Sequence, residues 1–203
     1  MRKIFVTGIG TDVGKTVVSA ILTEALEADY WKPVQAGDLD NSDSIKVERF
    51  ISNDKTVIHP EGMKLNSPMS PHAAAAIDNV EIKLPDFKLP ITDNDLVVEG
   101  AGGLMVPLND EDLIIDLIQQ LDIEVVLVSQ NYLGSINHTI LSIDALKNRG
   151  IKVLGIIFNG EENIETEKYV LNYSGLKCLG RVQQHPSINK EIVLSYKSQF
   201  NDL

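Results

Sequence analysis

The sequence predicts an α/β domain: a doubly wound, mainly parallel sheet with helices on both faces. Three observations predict it. Short β-rich apolar runs alternate with helical patterns, the order that builds strand–helix–strand units. Three of those runs, Leu96-Val97-Val98 and residues 125–129 and 153–158, are almost continuously aliphatic or β-branched, as strands covered on both faces are. Glycines join the first strand-like run directly to the first helical one. At 203 residues the chain suits a single domain over residues 1–203, and two would be cramped.

The elements follow in order. Residues 3–7, Lys-Ile-Phe-Val-Thr, read as the first strand. Residues 15–27 carry Val18, Ile21, Leu22, Ala25 and Leu26 at the spacing of one helix face. Residues 30–34 form a short second strand, and Asn41 is placed to cap a helix running to about Ser52. Residues 53–93 are less regular, with Pro60, Pro68, Pro71, Pro85 and Pro90. Their apolar residues and the helical look of 71–77 suggest an elaborated connection rather than a linker. Its alanines, Ala73 to Ala76, suit close helix packing. Further helices are expected over 112–120, 136–148 and 165–172, with a last one over 187–200.

Composition narrows the function. Hydrophobic residues make up 43% and charged residues 23%, with no apolar run long enough to span a bilayer. Neither the apolar core of a signal peptide nor a small-residue cleavage site precedes the first strand. A single cysteine, Cys178, rules out an internal disulfide framework and, with no base apparent beside it, reads as a core thiol. A cytoplasmic protein is expected, with no membrane partner. The net charge of -11 argues against nucleic-acid binding, which needs a basic surface. Any anionic ligand must therefore be held by a few placed lysines, backbone amides and a metal ion.

Gly8-Ile9-Gly10-Thr11-Asp12-Val13-Gly14-Lys15-Thr16 has the residues and the setting of a phosphate-binding loop. Small residues let successive N–H groups curl round a phosphate, and the helix N-terminus adds partial positive charge. Lys15 would reach the β- and γ-phosphates and the Thr16 hydroxyl would ligate Mg²⁺. The spacing is longer than the common pattern, with Gly8 six positions before Gly14. A chance Gly-Lys-Thr at a helix start would explain neither the strand before it nor the two further glycines. The fold expected is thus of the P-loop NTPase type, binding ATP with Mg²⁺.

In such a sheet, ligands collect at the carboxyl ends of the strands. Lys32 ends the second strand, Glu99 ends Leu96-Val97-Val98, and Asp43 lies in the loop or helix start between them. Thr16, Asp43 and Glu99 suffice for magnesium, which takes one or two carboxylates beside substrate phosphates. The plainer alternatives are a solvated carboxylate for Glu99, a helix cap for Asp43 and a surface lysine for Lys32. His72 suits a helix start better than chemistry, and His59, His138 and His185 have no metal-like spacing.

Further segments are Lys32-Pro33-Val34-Gln35-Ala36-Gly37, Asn41-Ser42-Asp43, Ser70-Pro71-His72, Val98-Glu99-Gly100-Ala101-Gly102-Gly103 and Leu133-Gly134-Ser135-Ile136-Asn137-His138. With the loop, they make about the first 160 residues resemble the dethiobiotin synthetase family. The loop alone is shared by many proteins; the later segments in series are far more specific. The resemblance implies a homodimeric, ATP-dependent cyclo-ligase of biotin biosynthesis. An amine of 7,8-diaminononanoate captures CO2 as a carbamate, the carbamate attacks the ATP γ-phosphate, and the second amine closes the cyclic urea. It implies catalytic Lys15 and Lys32, with Mg²⁺ on Thr16, Asp43 and Glu99. Nucleotide contacts would come from Asp12, Val13, Gly14, Lys15, Thr16, Val17, Asp43, Glu99, Gly100, Ala101 and Gly102, with Asn159 reading the adenine edge. Substrate contacts would come from Thr11, Lys32 and Ala36. The helix-start amides of Gly134, Ser135, Ile136 and Asn137 would hold the distal carboxylate, partly across the dimer interface.

Two positions depart from that family: Ala36 where a hydroxyl residue is frequent, and Val182-Gln183 where an Ile-Pro pair is common near the adenine. The alternatives are another P-loop amidoligase or synthase, and a partitioning-type switch ATPase. Many such switches carry an early loop lysine where this chain has Gly10.

Overall fold

In the computed structural model, which describes all of residues 1–203, β1 (Lys3–Gly8) lies inside a six-stranded sheet. The strand order is β2 (Asp29–Trp31), β5 (Leu96–Gly103), β1, β6 (Glu124–Gln130), β7 (Val153–Asn159) and β8 (Cys178–Val182). Every pairing is parallel. β3 (Val34–Ala36) and β4 (Met63–Leu65) form a separate parallel pair. Between them in sequence lie α1 (Lys15–Leu26), α2 (Asp43–Phe50), α3 (Pro71–Asp78), α4 (Ile114–Leu121), α5 (Ser135–Asn148), α6 (Ile164–Ser174), α7 (Lys190–Ser195) and α8 (Lys197–Phe200). No helix is long and apolar enough to cross a membrane.

Two hydrophobic clusters bury the faces of the sheet. One gathers Ile4, Val6 and Val126 with Val18, Ile21 and Leu22 of α1; the other gathers Phe5, Val98 and Val125 with Ile114, Leu117 and Ile118 of α4. Alternate residues of β1 thus face opposite layers, as strand geometry requires. α1 is buried almost all round, so it carries a buried carboxylate, Glu24. Glu24 accepts hydrogen bonds from the amides and side chains of Ser52 and Asn53, tying the end of α2 to α1.

The irregular stretch 53–93 packs back onto the sheet through Leu65, Ala74, Ile82 and Phe87. Buried Asp29 clips both of its ends, accepting from Val57 N and Thr92 Oγ1 and meeting His59 Nε2 at 3.0 Å. Of the four alanines, Ala74 and Ala75 are buried.

Several expectations need correction. The second strand, expected over 30–34, breaks into β2 and β3. Pro33 has no N–H to donate to β5, and its carbonyl instead accepts from Met63 N at the start of β4 (2.8 Å). The cap of α2 is Ser42, whose Oγ accepts from Ile45 N; Asn41 sits in the preceding 3-10 turn. The last helix divides at Tyr196 into α7 and α8. Cys178 is exposed rather than a core thiol, because it opens β8, the edge strand, beyond which no strand covers it.

Candidate active site

The chain after β1 turns through residues 9–14 into α1. Gly8 permits a close return of the loop, since a Cβ there would lie 2.5 Å from Val13 Cγ2. Gly14 has φ of +93°, and a Cβ would lie 2.2 Å from Asn159 Nδ2. That conformation favours glycine, and a Cβ would also push the Asn159 amide aside. Asn159, at the end of β7, donates Nδ2 to Val13 O at 3.0 Å and so braces the loop from a strand 146 positions away.

Lys15 opens α1 and is buried, its ammonium donating to Gly10 O at 2.8 Å. Burial is the main cause of its pKa falling to about 8; Glu99 opposes the fall and Lys32 adds to it. Parallel pairing of Tyr30 with Val97 and Trp31 with Val98 brings the next residue, Lys32, level with Glu99. Lys32 Nζ lies 3.0 Å from Glu99 Oε1 and 2.6 Å from Asp43 Oδ2, and donates to Gly100 O at 3.0 Å. Thr16 Oγ1 donates to the same Glu99 oxygen at 2.8 Å.

Lys32 and Glu99 are 3% and 1% exposed, which excludes a surface lysine and a solvated carboxylate. Burial alone would lower the Lys32 pKa, but Glu99 and Asp43 outweigh it and hold the ammonium above its ordinary range. For Asp43, burial is likewise outweighed by Lys32, which keeps the carboxyl below its ordinary range.

Most expected site residues meet in one cleft of about 710 Å³: Thr11, Asp12, Gly14, Lys15, Thr16, Val17, Lys32, Ala36, Asp43, Glu99, Ala101 and Gly102 all line it. Val13, Gly100 and Asn159 support it through the hydrogen bonds described. Gly134, Ser135, Ile136 and Asn137 do not line it; they begin α5, after the exposed Tyr132 and Leu133. His72 is exposed, and His59, His138 and His185 are engaged by Asp29, Tyr132 and Tyr196.

Sequence reasoning missed Gln35. It is buried on the cleft wall, accepts from Asp43 N at 3.1 Å, and donates to Gly37 O at 2.9 Å. It thereby fixes the start of α2, and with it the Asp43 carboxylate. The sequence marked Gln35 only as part of the Lys32-to-Gly37 segment, without a role of its own. No three His, Cys, Asp or Glu side chains gather as a metal cluster. The two carboxylates and a hydroxyl around Lys32 are nevertheless hard oxygen donors of the number magnesium takes beside a nucleotide.

A glycine-rich loop feeding Lys15 and Thr16 into α1, faced by one carboxylate from within β5 and one from the start of α2, defines a P-loop nucleotide-binding protein. A family model described as an AAA domain matches residues 2–192. The chain is 54% identical over 199 residues to the ATP-dependent dethiobiotin synthetase BioD of Christiangramia forsetii, covering 98% of this chain and 96% of that one. It is 52% identical over 203 residues to the BioD of Cytophaga hutchinsonii, covering 100% and 98%. The chain belongs to the dethiobiotin synthetase family. Among solved structures it is similar to the cell division ATPase MinD of Pyrococcus furiosus, with a TM-score of 0.64 at 13% identity over 100% of this chain and 99% of that one. MinD of Pyrococcus horikoshii gives 0.62 at 17% identity over 99% and 91%. At such identities the likeness is one of fold alone.

Proposed function

We propose that residues 1–203 form a single synthetase domain that makes dethiobiotin from 7,8-diaminononanoate, CO2 and ATP, releasing ADP and phosphate. The observation that carries this reading, beside family membership, is Lys32: a buried ammonium held by two carboxylates, next to a phosphate-binding loop, on the wall of a ligand-sized cleft. One amine of the substrate adds to CO2 and loses a proton, giving a carbamate. A carbamate oxygen attacks the γ-phosphorus and ADP leaves. The second amine then attacks the carbamoyl carbon, expelling phosphate and closing the ring.

Negative charge builds on carbamate and phosphoryl oxygens throughout, so fixed cations and amides do most of the work. Lys15 and the loop amides would hold the phosphates. Lys32 would face the carbamate and the transferring phosphoryl group. Thr16, Asp43 and Glu99 would hold Mg²⁺, which when bound neutralises charge on the β- and γ-phosphates. Asn159 commits its N–H to Val13, leaving Oδ1 to accept from the adenine amino group.

Val34, Ala36 and Val106 offer an apolar wall for the substrate's alkyl chain, and Thr11 and Ser70 are hydroxyls on the same cleft where Ala36 has none. Exposed Leu133 precedes α5, and exposed Leu141 lies midway along it. A homodimer covering them would bring the partner's α5 amides towards the cleft to receive the carboxylate. The single free cysteine fits a reducing cytoplasm.

The test is incubation with diaminononanoate, bicarbonate, ATP and Mg²⁺, following product by mass and ADP release together. Dethiobiotin formed in step with ADP is expected. ATP hydrolysis that ignores the diamine, with no dethiobiotin, would sink the proposal.

A further inference from the structure

We propose that Tyr30 is a positioning residue for the metal centre: its hydroxyl fixes the Glu99 carboxylate so that only one oxygen faces the nucleotide side. The inference rests on the magnesium reading above. Glu99 is almost fully buried, so each of its oxygens needs a partner. Oε1 takes Thr16 and Lys32, both of which line the cleft. Oε2 takes Tyr30 Oη at 2.8 Å, and Tyr30 has no exposed surface. Tyr30 pairs with Val97 in the parallel register, two residues before Glu99, so the two side chains share a face of the sheet.

Gln35 fixes Asp43 from the backbone side, its Oε1 accepting from the Asp43 N–H. Tyr30 is thus the counterpart for the other carboxylate. Without the hydroxyl, Oε2 would be a buried charge lacking a donor. The carboxylate would relieve this by rotating, which removes Oε1 from the place where Thr16 and Lys32 define it.

The experiment is calorimetric titration of Mg²⁺ into the full chain with a non-hydrolysable ATP analogue, for wild type, Tyr30→Phe, Glu99→Gln and the double variant. Tyr30→Phe keeps the ring in the core, and binding of the analogue in EDTA serves as a measure of native protein. The half-saturating Mg²⁺ concentration should rise roughly tenfold to a hundredfold in Tyr30→Phe, the loss expected for a hydrogen bond to a charged group. Binding in EDTA should stay unchanged. In the Glu99→Gln background no buried charge depends on the hydroxyl, so the double variant should need no more Mg²⁺ than Glu99→Gln alone. A Tyr30→Phe requirement within about twofold of wild type, or effects that multiply in the double variant, would overturn the inference. If Glu99→Gln itself leaves the requirement unchanged, the magnesium reading falls and this inference falls with it.

Discussion

Lys15 should destabilise the protein that depends on it. Its pKa lies at about 8 in the fold against an ordinary value of 10.5, chiefly because burial penalises the ammonium. The unfolded chain therefore binds more protons than the folded one between those two values, and stability rises with pH across that window. Below pH 8 the penalty is fully present; above 10.5 it is gone. A displacement of this size corresponds to about 3 kcal/mol, a large share of a typical folding free energy. Lys15→Met, which keeps the length and removes the charge, should then be more stable than wild type at pH 7, by on the order of 1–3 kcal/mol after loss of the Gly10 hydrogen bond. The gap should close as pH approaches 10. The assay is urea unfolding of both proteins without nucleotide at several pH values, compared by difference so that other titrating groups cancel. Turnover of Lys15→Met should be undetectable, because the charge on the phosphoryl group is lost. A variant less stable than wild type at pH 7, or a difference independent of pH, would refute the reasoning. An active, well-folded variant would refute the role of Lys15.

Lys32→Met strands Asp43 and Glu99 together in a buried site, so in EDTA it should lose roughly 3 kcal/mol or more of stability. Millimolar Mg²⁺ should recover much of that in a thermal melt, and no recovery would argue against a shared cation site. Lys32→Ala and Lys32→Gln should both cut cyclic-urea formation far more than nucleotide affinity, since the interaction matters most in the transition state; equal turnover would remove Lys32 from the chemistry. Leu133→Asp should turn a sedimenting dimer into monomer and raise KM for the diamine more than for ATP. An unchanged dimer would move the interface elsewhere.

Much of this protein was legible in the sequence, because the relevant signals are local. Strands β1, β5, β6 and β7 announce themselves as apolar runs, α1 as a face of spaced aliphatics, and the loop as glycines leading to Lys15 and Thr16. Lys32, Asp43 and Glu99 could be named as candidates because each follows a strand-like run or opens a helix in its own neighbourhood. Breaks and edges were harder. Pro33 was visible, but its effect came from β4 being there to take its carbonyl, and Cys178 is exposed because β8 has a neighbour on one side only.

Only the tertiary structure decided how the candidates combine. Strand order places Lys32 against Glu99 across 67 positions, Tyr30 against Glu99 across 69, and Asn159 against Val13 across 146. It likewise leaves residues 134–137 away from the cleft of their own chain. A hydrophobic period says that a segment is a buried strand, yet says nothing about which strand lies beside it. Partners of buried charges are set by that adjacency, and the charges, once out of water, must be paired where the adjacency puts them.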